Sequence, residues 1–309
     1  MMPKIHFISV TEPLIFDMAV AIHEKEYEVS VSGKGLADDV ISQLREMGCE
    51  CHGDGWFPDN LTKDIQVVVL GADVKKDNPE LLQAKKMGLL MQSVPEFIYE
   101  RTKSKTRVVV AGSQGKSSVL SMITYALQAK KVDFDYILSG RISTLPSHVR
   151  LSFESRIALI EGDEHITSAI EKRFQLEFYR PHIAVLTGFL WSEAKDHKSP
   201  EEYLKTYTDF TASIERQGKL IYFAGDETIN RLVEGVREDI TPMPYTVQTI
   251  TEENGQTFIK NRYGSFPVRP TDKYFLTNVS AACLVCRQLG VKDSDFFKAL
   301  SAYSLSLPA

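Results

Sequence analysis

The first hundred residues alternate short apolar runs with segments whose apolar positions recur at helical spacing. IHFISV (5–10), YEVSVS (27–32) and IQVVVLGA (65–72) read as strands, the last a nearly continuous apolar run, as expected of a parallel strand covered on both faces. DMAVAIHEKE (17–26), LADDVISQLREMG (36–48), NPELLQAKKMG (78–88) and PEFIYERT (95–102) carry the helical period, with LLMQS (89–93) between the last two. Strand and helix in alternation predict an open, parallel α/β sheet. Charged, small RTKSKT (101–106) interrupts the pattern.

The alternation resumes with RVVVAG (107–112) and a helix through SSVLSMITYALQAKK (117–131). DYIL (135–138), RIALIE (156–161), HIAVLTG (182–188) and KLIYFAG (219–225) are the next strand candidates, and EEYLKTYTDFTASIERQ (201–217) and DETINRLVEGV (226–236) the next helices. Residues 243–268 alternate over short distances around Asn254-Gly255 and Tyr263-Gly264, which predicts a small antiparallel appendage. Two helices, 276–290 and 293–304, close the pattern. The prediction is two α/β domains: a Rossmann-like parallel-sheet domain over 1–103 and a second, mostly parallel one over 104–309.

Composition narrows the partners. In 309 residues, 43% hydrophobic and 25% charged, the net charge is −5 and no basic stripe appears, so nucleic acid is not the expected partner. No apolar run nears the ~18 residues of a membrane span, and MMPKIHFISV lacks the regions of a secretory signal, so a cytoplasmic location is expected. Cys283 and Cys286 have CxxC spacing inside a helical apolar pattern without further soft ligands nearby, so buried thiols are expected rather than a zinc site.

The chemistry is concentrated in AGSQGKSS (111–118), between a buried strand and an amphipathic helix. Gly112 and Gly115 let backbone N–H groups approach an anion, and the helix N-terminus adds partial positive charge. Lys116 can reach the terminal phosphates of a nucleotide, and Ser117 can offer its oxygen to Mg²⁺. Val110 stands where the longer Walker loop has glycine, which argues against a small-molecule kinase of that type. RIALIEGDE puts Glu161 at a strand's end, with Asp163 and Glu164 beyond, where a carboxylate would face the same crevice.

GSQGKSS resembles the shortened G-T-x-G-K-[ST]-[ST] loop of the Mur ligases, with Ser113 at the threonine. EGDE resembles their E-A-D-E, and YRPHIAVLTG their Y-x-P-x-x-A-V-x-T-N strand. The opening strand pair and the run into Asn78-Pro79-Glu80 are similar too. The resemblance implies a P-loop central ATPase domain using ATP and Mg²⁺. It implies an amide-forming ligase that joins an amino acid or peptide to UDP-N-acetylmuramate in peptidoglycan synthesis or recycling. It would place Gly112, Ser113, Gln114, Gly115, Lys116, Ser117 and Ser118 on the phosphates, with Lys116 and Glu161 catalytic, and Ser117 and Glu161 on the first Mg²⁺.

Four departures are visible. SVTEPLIF (9–16) has no glycine where the family has a glycine-rich loop touching UDP, and Glu12 would repel a diphosphate. The family's metal-binding Asp-His pair falls on Ser192-Glu193, with Asp196-His197 four residues later. Glu193 replaces the histidine, or His197 is brought in, or the second metal site is lost. The adenine-contacting His-Asn falls on Tyr274-Phe275, with Asn278 matching a later asparagine. The chain ends at 309 without the family's third domain. A binding or regulatory homologue without ligase activity is the alternative expectation.

Overall fold

The computed structural model describes residues 2–168, 170–192 and 196–307. The first sheet joins β1 (Lys4–Ile8), β2 (Glu28–Ser32), β3 (Glu50–Cys51), β4 (Ile65–Leu70) and β5 (Met91–Ser93) in the order β3-β2-β1-β4-β5, all parallel. Helices α1 (Pro13–His23), α2 (Asp38–Glu46), α3 (Pro79–Met87) and α4 (Val94–Thr102) connect them. The strand order reverses between β1 and β4, so their C-terminal ends form a topological switch point. α3 starts where the sequence dictates: Asn78 accepts from the N–H groups of Glu80 and Leu81, Pro79 follows, and Gly88 at φ +71° ends the helix. α1 begins at Pro13, four residues before the expected start, so the segment 9–16 is half loop and half helix.

A buried carboxylate ties this domain together. Glu80, wholly buried, accepts from Phe57 N at 2.6 Å and from the Ser32 hydroxyl, and its Oε2 lies 3.3 Å from His6 Nε2. Burial alone would raise its pKa, but His6, Ser32 and the Phe57 N–H outweigh it and hold the carboxyl below its usual range.

The second sheet contains β6 (Thr106–Ala111), β7 (Asp135–Ile137), β8 (Val149–Arg150), β9 (Ile157–Glu161), β10 (Ile183–Leu186), β11 (Lys219–Phe223) and β12 (Thr241–Tyr245). Its order is β12-β11-β10-β6-β9-β7-β8, with only the β7–β8 pair antiparallel. Its helices are α5 (Lys116–Ala129), α6 (Pro200–Ala212), α7 (Glu227–Glu234), α8 (Lys273–Gln288) and α9 (Asp293–Ser306). The run VVVA (108–111) is apolar throughout because both faces are covered. Val108 and Val110 pack with α5, α8 and α9, whereas Val109 and Ala111 pack with Tyr203, Tyr207 and Phe210 of α6. Cys283 and Cys286 lie buried on α8 as free thiols, and burial pushes Cys283 up to about 12.

The appendage is smaller than the sequence pattern suggested. Its three antiparallel strands are β13 (Thr251–Glu253), β14 (Gln256–Asn261) and β15 (Gly264–Pro267), with Asn254 and Gly255 both at positive φ in the first turn. Residues 243–245 belong instead to β12, at the edge of the parallel sheet. Thr241 N donates to Gly218 O and Tyr245 O accepts from Ala224 N, so Pro242 and Pro244 fall at the outward positions, where no ladder N–H is needed.

Arg107 joins the two sheets' layers at their junction. It is 1% exposed, and its guanidinium donates to the carbonyls of Thr102 and Lys103 at the end of α4, to Tyr179 O and Arg180 O, and to Glu215 Oε1 at 3.0 Å. Among the described residues, no helix is long and apolar enough to cross a membrane.

Candidate nucleotide site

β6 delivers the chain to the C-terminal edge of the sheet, and the next four residues turn back into α5. Gly112, at φ +138°, lies so close to β10's end that a Cβ would stand 2.3 Å from Thr187 Oγ1. Gly115, at φ +84°, caps α5, and a Cβ there would stand 2.7 Å from Asn278 Oδ1. Both positions therefore require glycine for conformation and for space. Thr187 holds the loop from below: its hydroxyl is shared between Gln114 O at 2.5 Å and Ala111 O at 3.2 Å, and Ser113 N donates to Gly188 O.

No side chain caps α5, so its first-turn N–H groups are presented at the loop with the helix's partial positive charge. Lys116 Nζ donates to Gly112 O at 2.9 Å, which sets the ammonium across the loop. Ser117 Oγ donates to Glu161 Oε1 at 2.6 Å, and Gly140 N donates to Glu161 Oε2 at 3.0 Å. The sheet order explains the meeting: β9 lies beside β6, and Glu161 pairs with Val110 in register. The 5% exposed Glu161 carboxylate and the Ser117 hydroxyl are hard oxygen donors at the head of an anion-binding loop, a set that fits Mg²⁺ shared with phosphate oxygens.

The rest of EGDE does other work. Gly162 is packed so closely that a Cβ would lie 2.7 Å from Leu176 Cδ2. Glu164 is buried and accepts from the hydroxyls of Tyr203 and Tyr207 on α6, at 2.7 and 2.5 Å. Burial first, with the nearby carboxylate, pushes both phenols well above their usual range, so they stay neutral donors.

Of the two candidates for a second metal position, one lies among the described residues. His197 is 2% exposed, stacked on Phe174 at 4.1 Å between ring centroids, edge-on to Tyr203, with Nε2 3.0 Å from Thr206 Oγ1. It is a packed aromatic beside α6, whereas the sequence pattern offered it as a metal ligand. Its neighbour Asp196 turns the other way, accepting from His165 Nδ1 and Ile166 N. Glu193 lies outside the described residues. Among the described residues, no group of three or more His, Cys, Asp or Glu side chains is arranged to hold a metal ion.

Beyond the loop a cleft of about 560 Å³ opens, lined by Ser113, Gln114, Gly115 and Ser118 on one side and by Phe189, Phe223, Tyr274 and Asn278 on the other. Tyr274 is 66% exposed at the cleft, while Phe275 turns into the core, so the two aromatics that follow Lys273 have separate roles. Gly140, Thr187 and Asp226 were not singled out from the sequence. Asp226 accepts from Phe189 N and caps α7 through Thr228 N and Ile229 N. Each lies just past a strand of the second sheet, and that position at the sheet's C-terminal edge is the signal that could have found them.

Comparison with known proteins gives the chain a family. Residues 110–286 match the model of the Mur ligase middle domain. The UDP-N-acetylmuramate–L-alanine ligase of Ruthia magnifica is 24% identical over 98% of the chain, and that of Carboxydothermus hydrogenoformans 26% identical over 97%. The chain spans 65% and 64% of those relatives' lengths. Among solved structures, the UDP-N-acetylmuramate:L-alanyl-gamma-D-glutamyl-meso-diaminopimelate ligase from Neisseria meningitides superposes with a TM-score of 0.84 at 19% identity, covering 98% of both chains. UDP-N-acetylmuramate-alanine ligase from Thermotoga maritima gives 0.70 at 18% identity, covering 97% of this chain and 68% of that one. At these identities the structural likeness speaks to the fold, and the domain match extends over more than half of the sequence. The chain belongs to the Mur ligase family.

Proposed function

We propose that the chain binds Mg-ATP on the 112–118 loop and serves the phosphoryl-transfer half of a Mur-type acid–amine ligation. The observation that carries this reading is the Ser117–Glu161 pair, closed at 2.6 Å beneath the N-terminus of α5. In this reaction the carboxylate of an acceptor attacks the γ-phosphorus of ATP and ADP leaves. An amine then displaces the phosphate, forming the amide. Lys116 and the α5 N–H groups hold the β- and γ-phosphate oxygens, and Ser117 and Glu161 hold Mg²⁺, which would offset charge that builds on the transferred group. Tyr274 offers a ring face for the base, with Asn278 beside Gly115.

The division we propose, 1–103 and 104–309, is supported by α4 ending at Thr102 and β6 opening the second sheet at Thr106. By likeness to the ligases named above, the acceptor class is a UDP-N-acetylmuramate-type acid and the amine an amino acid or peptide. A second reading, a nucleotide-binding homologue without ligase activity, is favoured by the segment 9–16 with Glu12 at the start of α1.

The test is the magnesium dependence of ATP affinity. Wild type is expected to bind ATP more tightly with Mg²⁺ than without, and Glu161→Gln to lose most of that gain while keeping metal-free affinity. Equal magnesium dependence in both proteins would remove Glu161 from the site. Release of ADP in a single turnover with acceptor and amine separates the ligase from the binding reading.

A further inference from the structure

The first domain reaches the second sheet through α1, which packs against β8. Ile15 and Met18 of α1 share an apolar core with Ile137 of β7, Val149 of β8 and Ile160 of β9. Close packing of this kind fixes the helix against the sheet. A short polar contact runs beside it: His148 N donates to Asp17 Oδ2 at 2.6 Å. Both residues are half-buried, so water competes only partly for the bond.

On the far side of this bond the chain leads to Glu161. Residues 138–148 join β7 to β8, and His148 closes the loop on Leu138. Leu138 N donates to His148 O at 3.0 Å, and His148 Nδ1 lies 3.2 Å from Leu138 O, a contact that requires the ring proton on Nδ1. Leu138 is wholly buried, and Ile142 and Leu145 hold the middle of the loop in the apolar core that α5 also covers. Two residues past Leu138, Gly140 N donates to Glu161 Oε2 at 3.0 Å. A Cβ at Gly140 would stand 3.2 Å from Ser117 Oγ, so the loop backbone lies directly against the Ser117–Glu161 pair. The Gly140 N–H orients the carboxylate that would hold Mg²⁺, the role that outer hydrogen bonds play around metal ligands.

We propose that Asp17 is a positioning residue for the metal site: by holding His148 N it fixes the 138–148 loop, and with it the Gly140 N–H that orients Glu161. The seating of the first domain on β8 is thereby felt at the Mg²⁺ ligand. The inference rests on the nucleotide reading of the 112–118 loop, and it deepens that reading by adding a residue from outside the second domain.

The experiment measures ATP affinity of the full chain with and without Mg²⁺, in wild type, Asp17→Ala and Asp17→Asn. Hydrogen–deuterium exchange of the 138–148 segment is followed beside it, without ligand. Asp17→Ala is expected to lose about two- to thirtyfold of the gain that Mg²⁺ gives, the range of mutations along a coupled network. Its metal-free ATP affinity should be unchanged. Asp17→Asn keeps an oxygen that accepts from His148 N, so it is expected to keep the gain. Exchange at 138–140 should rise in Asp17→Ala and stay at the wild-type rate in Asp17→Asn.

An undiminished magnesium gain in Asp17→Ala overturns the proposal even where exchange rises, because the contact is then only structural. An equal loss in Asp17→Asn overturns it too, since charge rather than the hydrogen bond would be responsible. Loss of metal-free affinity in Asp17→Ala would mean general damage to the fold and would also count against positioning. A wild type without any magnesium gain is a separate result: it removes the Mg²⁺ reading of Ser117 and Glu161, and the proposal with it.

Discussion

At the residue scale, the site depends on a few atoms brought together by neighbouring strands. Glu161 is held by Ser117 on one oxygen and Gly140 N on the other, so its carboxylate is oriented before any ligand arrives. Tyr274 offers the clearest separable role, because a base and a phosphate chain can be tested apart. Tyr274→Ala is expected to weaken ATP by about five- to 150-fold, the range of a lost base–aromatic stack, and to leave inorganic tripolyphosphate affinity unchanged. Competition binding checks it, and equal losses for both ligands would place Tyr274 elsewhere. His197 shows what residue type alone does not say. It stands beside Asp196 in the sequence, and in the fold it packs with Phe174, Tyr203 and Thr206.

At the element scale, the loop works because β6, β9, β10 and α8 converge on two glycines. Gly115→Ala would force a side chain into φ +84° and against Asn278, so a loss of about 1–3 kcal/mol is expected. A falling midpoint in chemical denaturation, together with weaker ATP binding, checks it. How much of this was legible follows from how local each signal is. RVVVA, the glycines, Lys116 and the strand ending in Glu161 are carried by contiguous residues, and the structure has them in the expected order. The edge strand Thr241–Tyr245 was hidden by its two prolines, which are tolerated only because their missing N–H groups fall on the open side. Thr187 and Gly140 act through segments 73 and 21 residues away, a relation that no local pattern encodes. The early start of α1 has a local signal, Pro13 at the first helical position.

At the scale of the whole molecule, two buried polar networks hold the layers in place. Arg107→Met would leave a set of carbonyls at the junction without their donor, and a loss of about 3 kcal/mol or more is expected from unsatisfied buried acceptors. Glu80 makes stability pH-dependent. Its folded pKa lies below the unfolded value, so its contribution is present above the usual carboxylate range and is lost as pH falls through the folded value. Wild type should therefore lose melting temperature between about pH 5 and pH 3 more steeply than Glu80→Gln, which starts lower at neutral pH. Parallel curves would mean that Glu80 is not charged in the fold.

The central claim, that this member of the Mur family keeps a working nucleotide site, is tested most directly by Mg-ATP affinity in wild type and Lys116→Ala. The account predicts measurable binding by wild type and a loss of about ten- to a hundredfold in Lys116→Ala, the effect of removing a charged hydrogen-bond donor from phosphate. Equal affinity in the two proteins, or negligible binding in both, would contradict it.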